Sequence, residues 1–446
     1  MILSLPLRVL CLAAGVLLMV AGCGEGEAPE VGPPLALVRE DNTRRLRELD
    51  FAPFERALAG FKRARAAEIR GLVMSAGVTE LQGAMSEGRL SAEELTLFFL
   101  SRLRRHDGAL RSHLELNPLC LEEARAADRL RAAGKAGGAL LGIPVSVKDN
   151  ICTAAPLHTT VGAEVMLEHV PAKDAVLVAR LREAGAVILG KTALSELAGC
   201  LTSAPAGSNA VSGMGVNPYG AAFPVSGSSS GSGIAVSAWL TMLSVGTETS
   251  GSLISPGSMN GVVAMKPSRG VVSGEGVVPL VRFQDSAGPM ARSVADAALL
   301  LDVMDELDAD YAVGLDEKAL RGVEVGVLRE GIRAEGDGQE HWLRVIDEGL
   351  AKAGAVSRDV AEISDAGLNL TPVIFMGLSV ETLGYFSVAG VPVADVAGLQ
   401  KYNAEQAERR IPRGQNLIDL AVRLLRAVAE KTRVREGALG EMYEEA

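Results

Sequence analysis

Aromatic side chains are scarce in this chain, at 4% of its 446 residues, and only two of them are Trp. Few rings leave little to stack on nucleic-acid bases. A net charge of −11 with no block of basic residues gives phosphate backbones nothing to dock on. Nucleic acid is therefore excluded as an expected partner. Histidine is rarer still, with five in the chain. His106, His113, His158, His169 and His341 show no H-E-x-x-H or other ligand spacing, so each is expected to be exposed or structurally satisfied, and no metal site is indicated. Of five cysteines, Cys120, Cys152 and Cys200 cannot all pair, and no C-x-x-C occurs, which argues against a disulfide framework and a zinc knuckle alike. No hydrophobic run of membrane-spanning length is expected either: Val9 to Val20 is an apolar run of twelve residues, where about 20 are needed.

That short run has another meaning. It follows Arg8 and ends in Val20-Ala21-Gly22-Cys23, the layout of an export signal. Val-Ala-Gly-Cys resembles a bacterial lipobox, which implies cleavage before Cys23 and acylation of its thiol. Residues 1–22 are thus expected to be a lipoprotein signal peptide. Residues 23–36, the lipidated Cys and a Gly-, Pro- and Glu-rich stretch, are expected to be a flexible tether. The expectation is a protein exported to the cell envelope and held on a membrane by its lipid. Residues 37–446 then form one domain, with a helical part at 37–135 and a core at 136–446.

Hydrophobic residues make up 48% of the chain, enough for a large core. Leu37 to Arg70 carries apolar residues at helical spacing, and Ser91-Ala-Glu-Glu94 is a capping box that opens a helix through Arg105. A further helix is predicted over Glu115 to Ala133. Leu140 to Val147 is an apolar strand pattern ending at Lys148. Helix then strand recurs at Asp174–Ala184 with Ala186–Leu189, at Ser293–Glu306 with Val323–Leu328, and at Gln339–Ala353 with Ala355–Val360. Such alternation predicts an α/β domain, its sheet largely parallel or mixed and covered by helices.

The densest chemical signal is the Gly/Ser stretch from Val225 to Gly233, followed by Val245-Gly-Thr-Glu-Thr-Ser-Gly-Ser-Leu-Ile-Ser-Pro-Gly257. Ile234 to Ser244 between them reads as a buried helix feeding a buried strand. A linker has no reason to enclose such an apolar segment. The better reading is a serine-nucleophile site in which backbone N–H groups of a Gly-rich turn converge on one spot, as an oxyanion hole requires. With no suitably placed His, the base to activate a serine is Lys148. Desolvation at the end of a buried strand lowers an amine's pKa toward neutrality. The competing expectation for Lys148 is an ion pair with Asp149 or another carboxylate.

Three separated pieces resemble the amidase signature family, in order. Gly142-Ile-Pro-Val-Ser-Val-Lys148-Asp-Asn150 looks like its lysine strand, Gly227-Ser228-Ser229-Ser230-Gly231 like its cis-serine loop, and Glu248-Thr-Ser-Gly-Ser252 like its nucleophile loop. Ser228 and Ser252 stand 24 positions apart, the family's spacing, and the similarity runs roughly from Val78 to Ile418. The resemblance implies a mixed central β-sheet covered by helices on both faces. It implies Ser252 as nucleophile, Ser228 after a cis peptide bond as proton relay, Lys148 as base, and an oxyanion hole lined by Thr249, Ser250, Gly251 and Ser252. The expected reaction is hydrolysis of a small-molecule or peptide carboxamide, with no cofactor.

Departures from the commonest pattern are Glu248 for Asp, Ser250 for Gly and Ile254 for Arg. Phe283 to Asp296 and the Glu248 variant look most like the peptide amidase branch, where loss of that Arg is also familiar. Ser250 is expected to strain the turn if that position needs a positive φ. The family also contains amidotransferase glutaminase subunits, and a weakly active or inactive binding protein on the same fold is a further alternative. Tyr402 to Asn416 resembles a family segment followed by a substantial tail, which leaves open whether the sheet lacks its C-terminal strands. The substrate pocket is expected around Ala198 to Asn217 and the later helices.

Two other motifs are weighed, the first set aside and the second kept as a minor alternative. Gly185 to Thr192 spells a phosphate loop, but its middle residues read as a strand with a helix before them. Gly227 to Gly231 also spells a nucleophile elbow centred on Ser229, whose downstream His is available only as His341.

Overall fold

A computed structural model describes residues 46–135, 137–202, 205–307, 309–329, 338–360 and 370–432. The expected signal, Cys23 and the tether lie outside the described residues. Those described fall into two compact units, residues 46–312 with 370–432, and residues 313–360.

The larger unit is built on a mixed six-stranded sheet flanked by helices, in the order β1-β3-β2-β4-β6-β5. Its strands are β1 (His113–Leu116), β2 (Pro144–Lys148), β3 (Val187–Thr192), β4 (Leu243–Glu248), β5 (Val263–Ala264) and β6 (Ser286–Ala291). β2 runs parallel to both β3 and β4, while β1, β5 and β6 join antiparallel. β2, β3, β4 and β6 are buried along their whole length, as continuous apolar runs demand. Because β2 and β4 are parallel neighbours, their carboxyl ends, Lys148 and Glu248, emerge at the same edge of the sheet. That edge is where open α/β sheets place ligands.

The capping box forms as read. Ser91 Oγ accepts from Glu94 N at 3.0 Å, Glu94 Oε2 accepts from Ser91 N at 3.1 Å, and the helix runs from Ala92 to Leu110. The helix predicted from Glu115 is corrected: His113–Leu116 is a strand, and the helix spans Cys120–Ala132. Pairing with β3 supplies the hydrogen bonds there, a long-range term that helical periodicity ignores. The phosphate-loop spelling is indeed strand β3, preceded by the helix Val176–Glu183. The expectation that no run reaches membrane-spanning length is corrected by Leu370–Val388, among the described residues the one helix long and apolar enough to cross a membrane. Phe375, Leu378, Leu383 and Phe386 on it are buried in the hydrophobic core.

The smaller unit pairs Glu324–Val327 with Val356–Asp359 as a separate two-stranded parallel sheet, with the helix Gly338–Lys352 between them in sequence. Arg329 ties this unit together, reaching Asp347 at 3.0 Å and Asp359 at 2.6 Å.

Candidate active site

Lys148 ends β2 with no exposed surface. Its Nζ lies 2.7 Å from Ser228 Oγ, 2.9 Å from Thr247 Oγ1 and 3.2 Å from the Thr247 carbonyl. Burial lowers its pKa from 10.5 to about 7, against the opposing pull of the Asp285 and Glu248 charges. About half of such amines are neutral near pH 7, so the group is able to take a proton. Among the described residues the ion pair weighed against this does not form with Lys148. Asp149 instead lies 3.8 Å from the other buried amine, Lys191, whose Nζ also donates to Ile151 O, Thr153 Oγ1 and Thr159 Oγ1.

Ser228 follows a cis peptide bond from Gly227 and is 2% exposed. A Cβ at Gly227 would stand 2.1 Å from Ser195 Oγ, so the Ser195 side chain would have to move to admit one. Ser228 O accepts from Ser195 N at 3.0 Å, and Ser229 N donates to Ser252 O at 3.1 Å. The helix Ser230–Ser237 begins directly after this loop. Gly231 lets it press on the β1 and β3 chains, where a Cβ would meet Ser112 O at 2.3 Å and Ala193 N at 2.4 Å. The two serine loops are therefore stitched through backbone. Ser252 itself is 4% exposed, and among the described residues no hydrogen bond joins its Oγ to Ser228 Oγ.

Glu248 shapes the second loop. Its Oε2 accepts from Leu253 N at 2.7 Å and Ile254 N at 3.0 Å, capping the short helix Ile254–Met259. These bonds leave the N–H groups of Ser250, Gly251 and Ser252 without an acceptor among the described residues. The positive φ of the turn falls on Gly251, at 77°, and not on Ser250. The strain expected of Ser250 is absent because the neighbouring glycine takes the left-handed conformation. The Thr249 carbonyl accepts from Lys266 Nζ and Gln284 Nε2, each at 2.9 Å, and Thr249 Oγ1 donates to Asp285. Glu248→Ala should free the two capped amides and loosen the loop, lowering kcat about 100-fold, while Glu248→Gln keeps an acceptor and most of the rate. Steady-state kinetics beside a melting curve checks this.

A cavity of about 620 Å³ opens on the site, with Asn150, Ser228, Thr247 and Thr249 in its lining. Its volume suits a small-molecule ligand. The wall differs from the expected one. Ala198 contributes, but most of the lining comes from Arg269 to Leu280 and from Tyr385, and no residue between 205 and 217 does. Nothing in the composition of the 269–280 segment marks it as a wall. It becomes one through long-range bonds, Cys152 N to Gly276 O at 2.9 Å and Val278 N to Asn150 O at 2.8 Å.

Among the described residues no histidine lines the cavity, although His169 Nε2 lies 2.9 Å from the hydroxyl of Tyr385, which does. His113 is fully buried, its two ring nitrogens each 2.9 Å from a serine hydroxyl, Ser112 and Ser146, as expected of a structural histidine. Ser229 Oγ donates to Thr247 O at 3.0 Å and accepts from Thr247 N at 3.2 Å, so it serves as a backbone brace. His341 is exposed. Ser229 Oγ is thus engaged by the Thr247 backbone, and His341 belongs to the smaller unit. Cys120, Cys152 and Cys200 are buried free thiols.

A buried lysine against a serine in a Gly/Ser loop, at the carboxyl edge of a mixed sheet, defines a class of fold and site that the family comparison identifies. The chain belongs to the amidase family, whose model matches residues 94–426. It is similar to a probable amidase of Arabidopsis thaliana, 44% identical over 274 residues, 57% of this chain and 54% of that protein. It is also similar to a glutamyl-tRNA(Gln) amidotransferase component from Moorella thermoacetica, 33% identical, covering 76% of this chain and 68% of that one. Among solved structures it resembles native peptide amidase from Stenotrophomonas maltophilia, with a TM-score of 0.71 and 36% identity over 78% of this chain and 75% of that one. The match spans about half the length of the first curated relatives.

Proposed function

We propose that this chain is an amidase that hydrolyses a carboxamide C–N bond through a serine acyl-enzyme. The observation that carries the reading is the Lys148 amine, fully buried, with its pKa lowered to about 7, 2.7 Å from Ser228 Oγ. Ser252 Oγ attacks the carbonyl carbon and passes its proton to Ser228, which passes its own to the neutral Lys148 Nζ. The carbonyl electrons move onto oxygen, where the amides of Thr249, Ser250, Gly251 and Ser252 hold the negative charge. As the C–N bond breaks, Ser228 returns a proton to the nitrogen and is resupplied by Lys148. Ammonia or an amine leaves. Water then attacks the Ser252 ester by the same proton route, releasing carboxylate and restoring the serine.

The test is intact mass after a fluorophosphonate probe together with ammonia release from simple primary amides. A covalent adduct and ammonia support the reading. A folded chain that gives neither is the binding protein weighed above.

The likeness to an amidotransferase component favours a second reading, release of ammonia from glutamine within an assembly. Glutamine turnover that appears only with tRNA and partner proteins would establish it. The export signal expected at the N-terminus speaks for the first reading, and Cys23 is its proposed anchor. In cells fed an alkyne-tagged palmitate, the full chain should be labelled and Cys23→Ser should not, and equal labelling would refute the anchor.

A further inference from the structure

We infer that Tyr385 determines substrate size: held at its hydroxyl and along its helix, it is a fixed wall of the cavity and limits the bulk that a carboxamide can carry beyond the scissile bond. The inference rests on the amidase reading and adds a size limit to its substrate class.

Tyr385 lines the cavity that opens on Ser228, and among the described residues it is the one aromatic to do so. Much of the remaining wall is small, with Ala198, Gly270, Gly274, Gly276 and Ala287 in it. Arg269 and Arg282 are longer, but both are exposed, and exposed side chains change rotamer quickly. They yield to a ligand.

Tyr385 is fixed at its tip. Its hydroxyl lies 2.9 Å from His169 Nε2 and 3.2 Å from Cys152 Sγ, and the two rings meet edge-on, 5.7 Å between centroids. Burial lowers the His169 pKa below its ordinary 6.5 and raises that of the Cys152 thiol, so at pH 7 the imidazole is neutral and the sulfur keeps its proton. The phenol then donates to His169 Nε2 and accepts from Cys152. Both anchors are tied down in turn. Cys152 N donates to the carbonyl of Gly276, itself in the wall, at 2.9 Å, and the His169 carbonyl accepts from Thr159 N at 3.0 Å.

The helix fixes the other end of the side chain. Tyr385 stands three residues beyond Leu378–Thr382, a π-wound turn within Leu370–Val388, and such turns are frequent at functional sites. Thr382 Oγ1 donates to Pro279 O at 2.6 Å, and Glu381 meets Arg282 at 2.9 Å. A Cβ on Gly377 would stand 2.1 Å from Leu280 O. Pro279, Leu280 and Arg282 all line the cavity, so the helix carrying Tyr385 is seated on the wall itself. A ring held at both ends does not move aside for a larger substrate.

The experiment measures kcat/KM in the full chain, in Tyr385→Ala and in Tyr385→Phe for three amides: acetamide, 4-phenylbutanamide with bulk on the acyl side, and N-(3-phenylpropyl)acetamide with bulk on the amine side. Labelling rates with an ethyl and a phenylbutyl fluorophosphonate are read beside them. In Tyr385→Ala the ratio of at least one bulky amide to acetamide is expected to rise about 10-fold or more, and the phenylbutyl-to-ethyl labelling ratio with it if the acyl side is the one relieved. Tyr385→Phe keeps the ring but loses both anchors, and the same ratio should rise by less. A merely structural role would slow all three amides together, so unchanged ratios overturn the inference. If Tyr385→Ala does not fold, Tyr385→Phe decides by the same criterion. A wild type that cleaves both bulky amides as fast as acetamide overturns it too. A folded wild type that neither labels nor cleaves any of the three overturns the amidase reading itself, which is a different result from an active enzyme with unchanged ratios.

Discussion

Ser252→Ala is expected to abolish fluorophosphonate labelling and to lower kcat on the order of 10⁶-fold, the scale on which removal of a serine nucleophile acts. The side chain is small, and its loss leaves the loop intact. Glu248 still caps Leu253 and Ile254, and Ser229 N still reaches the residue 252 carbonyl. Thermal stability should therefore stay within a few degrees of wild type, so that lost activity cannot be charged to unfolding. Ser228→Ala removes the proposed proton relay and the partner of Lys148 Nζ but leaves the attacking oxygen, and labelling should be slowed rather than lost. A Ser252→Ala protein that labels as fast as wild type would refute Ser252 as nucleophile. Labelling that vanished with Ser229→Ala would point to the elbow serine instead.

Lys148→Met carries the second large effect, about 10²- to 10⁴-fold in kcat, the usual worth of a positioned general base. Its signature is the pH profile. In wild type the active form has Lys148 neutral, so kcat should rise with pH through about 7 and level off above it. The methionine variant should lose that rise. A wild-type profile flat between pH 6 and 9 would refute the assignment.

Stability should move the other way. The folded pKa of about 7 lies below the ordinary 10.5, so between those values the unfolded chain binds the extra proton and wild-type stability climbs with pH. The full span is on the order of 5 kcal/mol. Lys148→Met has no such linkage and should melt above wild type at pH 7. The gap should narrow as pH approaches 10. A gap that does not depend on pH would show that the amine is not depressed in the folded state.

Much of the site was legible in the letters because its chemistry is local. Glu248 to Ile254 is a short local stretch, in which the Glu248 carboxylate caps Leu253 and Ile254 and Gly251 takes the left-handed conformation considered for Ser250. Ser91 and Glu94 likewise satisfy each other across one helical turn. The strand ending at Lys148 was visible as an apolar run, since a strand buried on both faces has no alternation to hide it. The first strand was not. His113 to Leu116 is four residues long, and its helical continuation in sequence outweighed a pairing with β3 that lies some 75 residues away in the chain.

By itself the sequence determined which residue types the site holds and how they are spaced: a lysine after a buried strand, a serine in each of two Gly/Ser loops, and no histidine placed to help them. Tertiary structure alone decided which buried lysine meets which partner. Asp149 follows Lys148 directly yet is the neighbour of Lys191, while Lys148 reaches Ser228 and Thr247, 80 and 99 positions away. The same packing drew Arg269 to Leu280 and Tyr385 around the cavity and left Asn150 Oδ1 without a partner. The physical reason is common to all three. Desolvation, cavity shape and hydrogen-bond satisfaction depend on what the sheet register and the long loops bring within a few ångströms, and neighbours in the chain do not specify that.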